Sequence, residues 1–170
     1  MNRASQFSSI QQELNQTPIA PPEDEKSLLE WAMEKGHSLL ATTNLSINVA
    51  FIDMDEFESE LAELYTVLKT LAVAWNEMEE EELDTELLNL FVRKNADYGD
   101  AFMEYGAVGC VIRLTDKLKR LRQLVGTNKQ QVHDETVQDT IKDAVNYIIL
   151  TFITLRHNRL NYAVLGRPKE

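Results

Sequence analysis

Three acidic residues at helical spacing are the clearest candidates for chemistry in this chain. Glu135, Asp139 and Asp143 follow one another every four residues, and Asn146 comes next. At about 100° per residue, these four side chains span roughly 80° of a helix circumference. Carboxylates stacked in this way repel one another, so a cation must face this acidic stripe (Glu135, Asp139 and Asp143). Solvent counterions, basic side chains of a neighbouring element and a metal ion are the three alternatives.

The residues after the acidic stripe favour a buried position for the rest of this helix. Leu150 and Ile153 continue the direction of the stripe, and residues 145–155 are apolar nearly all round. Such a pattern is typical of a helix inside a bundle, where carboxylates need pairing or a metal. The alternative is a solvated acidic face on a surface helix.

A second charged face precedes the acidic stripe, on a helix predicted over residues 107–125. It carries Arg113, Asp116, Lys117 and Arg120 at i, i+3, i+4 and i+7. If this face meets the stripe, Asp116 adds a carboxylate and the other three residues add cations for phosphate oxygens. Oxygen ligands on facing helices suit Mg²⁺ or Mn²⁺. An interhelical lattice of salt bridges without a metal explains the same spacing.

The segment Lys94-Asn-Ala-Asp-Tyr-Gly99 is predicted to end a helix. Gly99 can adopt the left-handed conformation that terminates helices. As the wall of a site, Lys94 would hold a phosphate and Tyr98 would stack on a base. The alternative is a simple C-terminal cap.

The elements that position these residues predict an all-α helical bundle of four or more helices. Residues 1–25 are predicted as a flexible N-terminal arm, residues 26–160 as one domain and residues 161–170 as a tail. Helices are predicted from Asp24 or Ser27 to Ser38, over 53–80, over 84–95, over 107–125, and from the acidic stripe to about His157. A turn is predicted at residues 42–44, and residues 41–52 are otherwise ambiguous.

The predicted helix over 53–80 has an apolar seam at alternating four- and three-residue steps. The seam consists of Phe57, Leu61, Leu64, Leu68, Leu71, Trp75 and Met78. Such a seam packs inside a bundle or between subunits. We therefore expect a homo-oligomer, a dimer or a tetramer.

Composition excludes several classes of protein. The net charge is −11, and residues 53–100 hold 15 acidic and three basic residues. A chain this acidic is a poor general binder of nucleic acid. The single cysteine, Cys110, excludes an intramolecular disulfide framework and is predicted to be a buried bystander. No signal peptide or membrane-spanning run is apparent, so we expect a cytoplasmic protein.

The three charged segments together resemble the nucleotide-modification-associated domain family, which is mostly from phages and bacteria. This family is related to the MazG-like all-α nucleoside triphosphate pyrophosphatases. The resemblance lies within residues 85–155 and is carried by Lys94–Gly99, by Arg113-Leu-Thr-Asp-Lys-Leu-Lys-Arg-Leu121 and by Asp134–Tyr147. It implies a MazG-like bundle, usually oligomeric, in the cytoplasm of a bacterial cell, encoded by the bacterium or by a phage. The implied activity is the Mg²⁺-dependent hydrolysis of a nucleoside triphosphate to the monophosphate and pyrophosphate.

The resemblance also implies roles for individual residues. Asp116, Glu135 and Asp139 would be the catalytic, metal-binding carboxylates. The substrate would be held by Lys94, Asp97, Tyr98, Arg113, Lys117, Arg120, Asp143, Asn146 and Tyr147. Arg113 stands where the related enzymes have the first Glu of a Glu-x-x-Glu pair, which leaves the number of metal ions open.

The sequence defines the site residues more closely than it defines the substrate or the presence of catalysis. A purine deoxynucleotide such as dGTP is one candidate, because phage relatives act in modified-base pathways. The alternative function is a non-catalytic helical protein for nucleotide binding or assembly. Glu60/Glu63 and Glu81/Asp84 also fit the carboxylate pattern of the related enzymes. Asp84 is instead predicted as a helix N-cap, and the first pair as part of a solvated face.

Overall fold

The protein is seen in a computed structural model that describes residues 2–45, 53–127 and 136–164. Over these ranges the chain forms six helices and no strand, which agrees with the predicted helical bundle. The helices are α1 (Arg3–Leu14), α2 (Glu25–Leu45), α3 (Met54–Asn76), α4 (Glu80–Tyr98), α5 (Gly106–Thr127) and α6 (Val137–Val164). A 3₁₀ turn at Ala101–Met103 separates α4 from α5. Within the described ranges, no helix combines the length and the apolar character needed to cross a membrane.

Helix α6 is the central element, and it packs against α5, α3, α1 and α4. Apart from Tyr147, every residue from Val145 to Leu155 is buried, as the apolar pattern of this segment predicts. The direction of the acidic stripe runs from solvent into the core. Asp139 is exposed and the Asp143 side chain is 15 % exposed, whereas Ile153 is 2 % exposed. Glu135, the first residue of the stripe, lies outside the described residues.

Two aspartates, Asp24 and Asp53, cap the N-termini of α2 and α3. The Asp24 carboxylate accepts hydrogen bonds from the backbone N–H and the hydroxyl of Ser27, at 3.2 and 2.6 Å, and these bonds lower its pKa. The Asp53 carboxylate accepts from the backbone N–H of Glu56 at 3.1 Å. Both arrangements are N-caps of the expected kind.

Helix α2 is longer than predicted, because it continues past Ser38 to Leu45. The predicted turn at residues 42–44 is wrong: Thr42 is helical, and its hydroxyl donates to the Ser38 carbonyl oxygen at 3.0 Å. Leu39 is fully buried and anchors this part of the helix to the core. Residues 46–52, which include the predicted apolar segment, lie outside the described residues.

The apolar seam of α3 is buried within the chain itself. Its first five residues are 0–2 % exposed and belong to the same core as α6, namely Phe57, Leu61, Leu64, Leu68 and Leu71. The seam is therefore a bundle seam, and it no longer supplies an argument for a subunit interface. The expected homodimer or homotetramer stays an expectation. Helix α3 ends at Asn76, earlier than predicted, with Glu77 in the left-handed conformation at φ 51°.

The predicted flexible arm differs most from the structure. Residues 3–14 form α1, whose apolar side chains at i, i+3 and i+7 enter the core. Phe7 is fully buried, and Ile10 and Leu14 are 4 % and 7 % exposed. The Phe7 ring stacks on Phe91 of α4 at a centroid distance of 4.8 Å. The prediction of a loose arm is therefore wrong for these residues, because a short amphipathic helix was hidden among Gln and Ser.

The beginning of α4 was also mispredicted. The helix starts at Glu80, so Asp84 is an interior residue and not an N-cap. The Asp84 carboxylate pairs with Lys69, a fully buried lysine of α3, and accepts from Asn15 Nδ2 at 2.7 Å. Lys69 Nζ also donates to Asn15 Oδ1 at 2.7 Å. Burial raises the pKa of Asp84, against the opposing effect of Lys69. This cluster joins α1, α3 and α4.

The predicted C-terminal tail begins later than residue 161. Helix α6 continues past His157 to Val164, so residues 161–164 belong to the helix. Residues 165–170 lie outside the described residues.

Candidate functional site

A cavity of about 490 Å³ lies between the end of α4, the segment 99–105, and the facing parts of α5 and α6. Helix α4 contributes four lining residues at i, i+3, i+4 and i+7, and α6 contributes four at the same spacing. They are Phe91, Lys94, Asn95 and Tyr98 on α4, and Asp143, Asn146, Tyr147 and Leu150 on α6. The other lining residues are Gly99, Ala101, Phe102, Glu104, Tyr105, Gly109, Cys110 and Arg113. This volume is in the usual range of small-molecule sites.

An ion triad links the three main walls of the cavity. Lys94 Nζ lies 2.6 Å from Asp143 Oδ1, and Lys117 Nζ lies 3.3 Å from Asp143 Oδ2. Asp143 is largely buried, whereas the Lys94 side chain is 50 % exposed. At Asp143, basic side chains of neighbouring helices therefore provide the cations that the acidic stripe requires. With Arg113 on the same wall, the cavity presents cationic groups that suit an anionic ligand.

The end of α4 and the segment that follows it place two tyrosines on the cavity wall, Tyr98 and Tyr105. Gly99 ends α4, as predicted, with a positive φ of 59°, but its ψ of −148° lies outside the left-handed helical region. Its N–H donates to the Asn95 carbonyl oxygen at 2.7 Å. A Cβ atom at Gly109 would lie 2.8 Å from Cβ of Tyr105, so the close approach of this segment to α5 requires glycine there. Tyr98 and Tyr105 are each 74 % exposed. Such exposed rings can stack on a planar ligand.

Two amide side chains on the wall are incompletely hydrogen-bonded. Asn146 is 6 % exposed, and its Nδ2 donates to the Leu87 carbonyl oxygen at 3.1 Å. The Asn146 and Asn95 amide oxygens are buried and have no hydrogen-bond partner among the described residues. Buried polar atoms are nearly always paired in folded proteins, so these two oxygens require an explanation.

Helix α1 supports the cavity from behind. The Arg3 guanidinium donates to Asp100 Oδ2 at 3.1 Å from both Nε and Nη2, and it lies over the Phe102 ring at 5.9 Å from the centroid. Phe102 makes an edge contact with Phe91. The residues that shape the cavity are thus held in part by a helix from the other end of the chain.

Cys110 lines the cavity but has the character of a structural residue. It is 1 % exposed, and burial raises its pKa to about 11. Its thiol donates to the Phe102 carbonyl oxygen at 3.4 Å. The prediction of a buried bystander agrees with this environment.

The structure brings together six of the predicted substrate-binding residues on the cavity wall. These are Lys94, Tyr98, Arg113, Asp143, Asn146 and Tyr147. Lys117 reaches the same place through its contact with Asp143. Arg120 and Asp97 are not on the wall; Arg120 is partly buried one turn further along α5, and Asp97 is exposed at the end of α4.

Two of the three predicted metal ligands, Asp116 and Asp139, are described by the structure and are not on the cavity wall. Asp116 on α5 and Asp139 on α6 are both exposed, and Glu135 lies outside the described residues. Over residues 2–45, 53–127 and 136–164, no group of three or more His, Cys, Asp or Glu side chains is arranged to hold a metal ion. Asp143, the carboxylate of the stripe at the cavity, has lysines as its partners. The predicted ligand set of Asp116, Glu135 and Asp139 stays a prediction.

Several wall residues were not identified from the sequence. Asn95 had been assigned only to helix termination, and Phe102, Glu104 and Tyr105 carry no periodic signal. Their position depends on how the segment 99–105 folds against Phe91 and Gly109. The concentration of glycine and aromatic residues at 98–109 is the signal that marks this segment.

Comparison with known proteins supports part of this description. No curated protein and no solved structure matches the chain significantly. A family described as nucleotide modification associated domain 1 matches residues 94–155, less than half of the chain. The matched residues include most of the cavity wall, from Lys94 to Leu150. Over this part, the chain is similar to nucleotide modification associated domain 1.

Proposed function

We propose that this protein binds a nucleoside triphosphate in the cavity and hydrolyses it to the monophosphate and pyrophosphate. The observation that carries the proposal is the composition of the wall. Lys94 and Arg113 suit phosphate oxygens, and the exposed rings of Tyr98 and Tyr105 suit a planar base. The similarity to a nucleotide-modification domain over the same residues supports a nucleotide as the ligand.

Different residues of the cavity wall would bind different parts of the nucleotide. The triad of Lys94, Asp143 and Lys117 fixes two ammonium groups beside the cavity, so that phosphate oxygens meet cations already in place. The lining residues Phe91, Asn146 and Leu150 are buried and mostly apolar, and this part of the wall suits the sugar. Fixed orientation of the triphosphate is itself a large part of catalysis in phosphoryl transfer.

A divalent cation, Mg²⁺ or Mn²⁺, belongs to the catalytic part of the proposal. Bound Mg²⁺ would neutralise the triphosphate and help to position water. Its proposed ligands are Asp116, Asp139 and Glu135. The first two are exposed, on α5 and α6 respectively. A purine deoxynucleotide such as dGTP remains a candidate substrate.

One observation favours the alternative of a nucleotide-binding protein without catalysis. Asp143, the carboxylate of the acidic stripe at the cavity, is balanced by two lysines. Such a protein would bind nucleotides through the same cavity but would not turn them over.

Thermal unfolding with ligands tests the binding part directly. A nucleotide at 100 times its dissociation constant adds about 2.7 kcal/mol to the free energy of unfolding. Both functions predict this stabilisation by a nucleoside triphosphate, whereas only the pyrophosphatase predicts specific stabilisation by Mg²⁺ or Mn²⁺ without nucleotide. The absence of any nucleotide effect would contradict both functions.

A further inference from the structure

One wall of the cavity is formed by the segment 99–105, which joins α4 to α5. This segment supplies five of the lining residues, namely Gly99, Ala101, Phe102, Glu104 and Tyr105. Its regular structure is the 3₁₀ turn at Ala101–Met103, in which the Met103 N–H donates to the Asp100 carbonyl oxygen at 2.9 Å. A turn this short has few hydrogen bonds of its own. Its position therefore depends on contacts with neighbouring elements.

The Arg3 side chain, at the start of α1, contacts this segment at two points. Its Nε and Nη2 both lie 3.1 Å from Asp100 Oδ2, and its guanidinium lies over the Phe102 ring, 5.9 Å from the centroid. Asp100 occupies the N-cap position of the 3₁₀ turn, but its carboxylate accepts from Arg3 and makes no cap hydrogen bond. The Arg3 Nη1 donates to Gln6 Oε1 at 2.7 Å, which orients the guanidinium from within α1. Arg3 thus links α1 to the beginning of the turn.

Three aromatic rings continue this contact into the wall. Phe7, one turn after Arg3 on the same face of α1, stacks on Phe91 at a centroid distance of 4.8 Å. Phe91 in turn makes an edge contact with Phe102 at 6.2 Å, and both of these residues line the cavity. Phe102 therefore lies between a ring that Phe7 holds and the Arg3 guanidinium. Loss of Arg3 would release Asp100 and Phe102 but leave the stacked pair of Phe7 and Phe91 in place.

We propose that Arg3 is a positioning residue for the cavity, which holds the segment 99–105 in its ligand-binding conformation through Asp100 and Phe102. Arg3 is not on the cavity wall, so it acts through these two residues and does not touch the ligand. A segment that is already in place loses less conformational freedom when the ligand binds, and the affinity is higher for this reason. The inference rests on the proposed function in taking a nucleotide as the ligand.

Nucleotide binding in EDTA tests the proposal without hydrolysis. Titration of the natural protein with the common ribonucleoside and deoxyribonucleoside triphosphates identifies the one that binds most tightly. At a temperature well below the melting transitions, Arg3→Leu should weaken its binding at least about threefold, which one ion pair and one cation–π contact can produce together. Unchanged affinity in a folded Arg3→Leu variant would overturn the positioning role while leaving nucleotide binding intact. Failure of every nucleotide to bind the natural protein would overturn the proposed function together with this inference.

Arg3→Lys separates positioning from a simple effect of charge on an anionic ligand. Lysine keeps the positive charge but lacks the planar fork of N–H donors that can pair with a carboxylate and stack on a ring. We expect Arg3→Lys to remain at least about twofold weaker than the natural protein. Full recovery of the affinity by lysine would show that charge alone matters, and would overturn the proposal.

Glu13→Gln is the matched control for a general loosening of α1. Glu13 also ties α1 to the bundle, because its two carboxylate oxygens accept from the Arg156 guanidinium of α6 at 2.8 Å each. The Glu13 and Asp100 side chains are similarly exposed, at 55 % and 48 %, but neither Glu13 nor Arg156 is on the cavity wall. Glu13→Gln should therefore leave the nucleotide affinity unchanged. A loss of affinity equal to that of Arg3→Leu would overturn the assignment to Arg3, because it would show that any weakening of α1 has this effect.

Discussion

The Lys94 ammonium group lies 2.6 Å from Asp143 Oδ1 and ties the end of α4 to the second turn of α6. Both residues line the cavity, and Lys117 of α5 contacts the other oxygen of the same carboxylate. Three helices therefore meet at one carboxylate beside the proposed phosphate site. The ion pair is the point at which packing of the bundle and binding of a ligand depend on the same side chains.

Lys94→Met should separate these two roles. Because Lys94 is half exposed, loss of its ion pair should cost less than about 1 kcal/mol of stability. Loss of a cation beside the phosphates should weaken nucleoside triphosphate binding by about tenfold or more. Melting curves and binding titrations measure the two effects, with exposed Lys119→Met on α5 as the control. Unchanged affinity in Lys94→Met would exclude a phosphate contact for this residue.

Asp139→Asn tests the proposed metal site. Because Asp139 is exposed, the free energy of unfolding of the metal-free variant should lie within about 0.5 kcal/mol of that of the natural protein. Stabilisation by Mg²⁺ should largely disappear, and turnover should fall about 100-fold or more, as expected for a lost metal or electrostatic contact. Glu82→Gln, an exposed charge change outside the cavity wall, is the control. A strongly destabilised variant that keeps its turnover would rule out a metal at Asp139.

Phe7→Ala tests whether α1 is part of the domain. Phe7 is fully buried against Phe91, so its removal should lower the free energy of unfolding by about 3–5 kcal/mol. The exposed neighbour Gln12→Ala should have little effect. Chemical denaturation of both variants measures the difference. A negligible effect of Phe7→Ala would restore the picture of a loosely attached arm.

The pH dependence of the alkylation rate of Cys110 tests whether the cavity wall encloses this thiol. The neutral thiol is favoured by burial, and its pKa of about 11 leaves on the order of 0.1 % thiolate at pH 8. Alkylation of the folded protein should therefore be slow at pH 8, and should accelerate as pH rises towards the pKa or when denaturant is added. Mass spectrometry after timed treatment with iodoacetamide measures the rate. Rapid alkylation at pH 8 would contradict the closed environment of the thiol.

Local pattern made some elements predictable. Residues 145–155 lie in a buried helix because their apolar side chains surround it, and no tertiary information is needed to see this. Gly99 ends α4 for an equally local reason, since it adopts a positive φ. Lys94, Tyr98, Asp143 and Asn146 could be assigned to one site only through the resemblance to the nucleotide-modification-associated domain family, because their spacing alone left a helix cap and a lattice of salt bridges as alternatives.

Features that depend on distant residues were not predictable in this way. Lys69 is fully buried because Asn15, Asp84 and Glu80 converge on it from two other helices. A lysine and an acidic segment look solvated when each is considered alone. The same reason hid α1, whose few apolar residues acquire meaning only through contact with α4 and α6.

Chromatographic analysis of the products from common NTPs and dNTPs, incubated with Mg²⁺ or Mn²⁺, tests the central claim most directly. We expect at least one nucleotide to give its monophosphate and pyrophosphate as primary products, and EDTA in excess to abolish the reaction. Release of orthophosphate and a diphosphate, or turnover that persists undiminished in EDTA, would contradict the proposed chemistry. Tight nucleotide binding without any turnover would identify a binding protein instead.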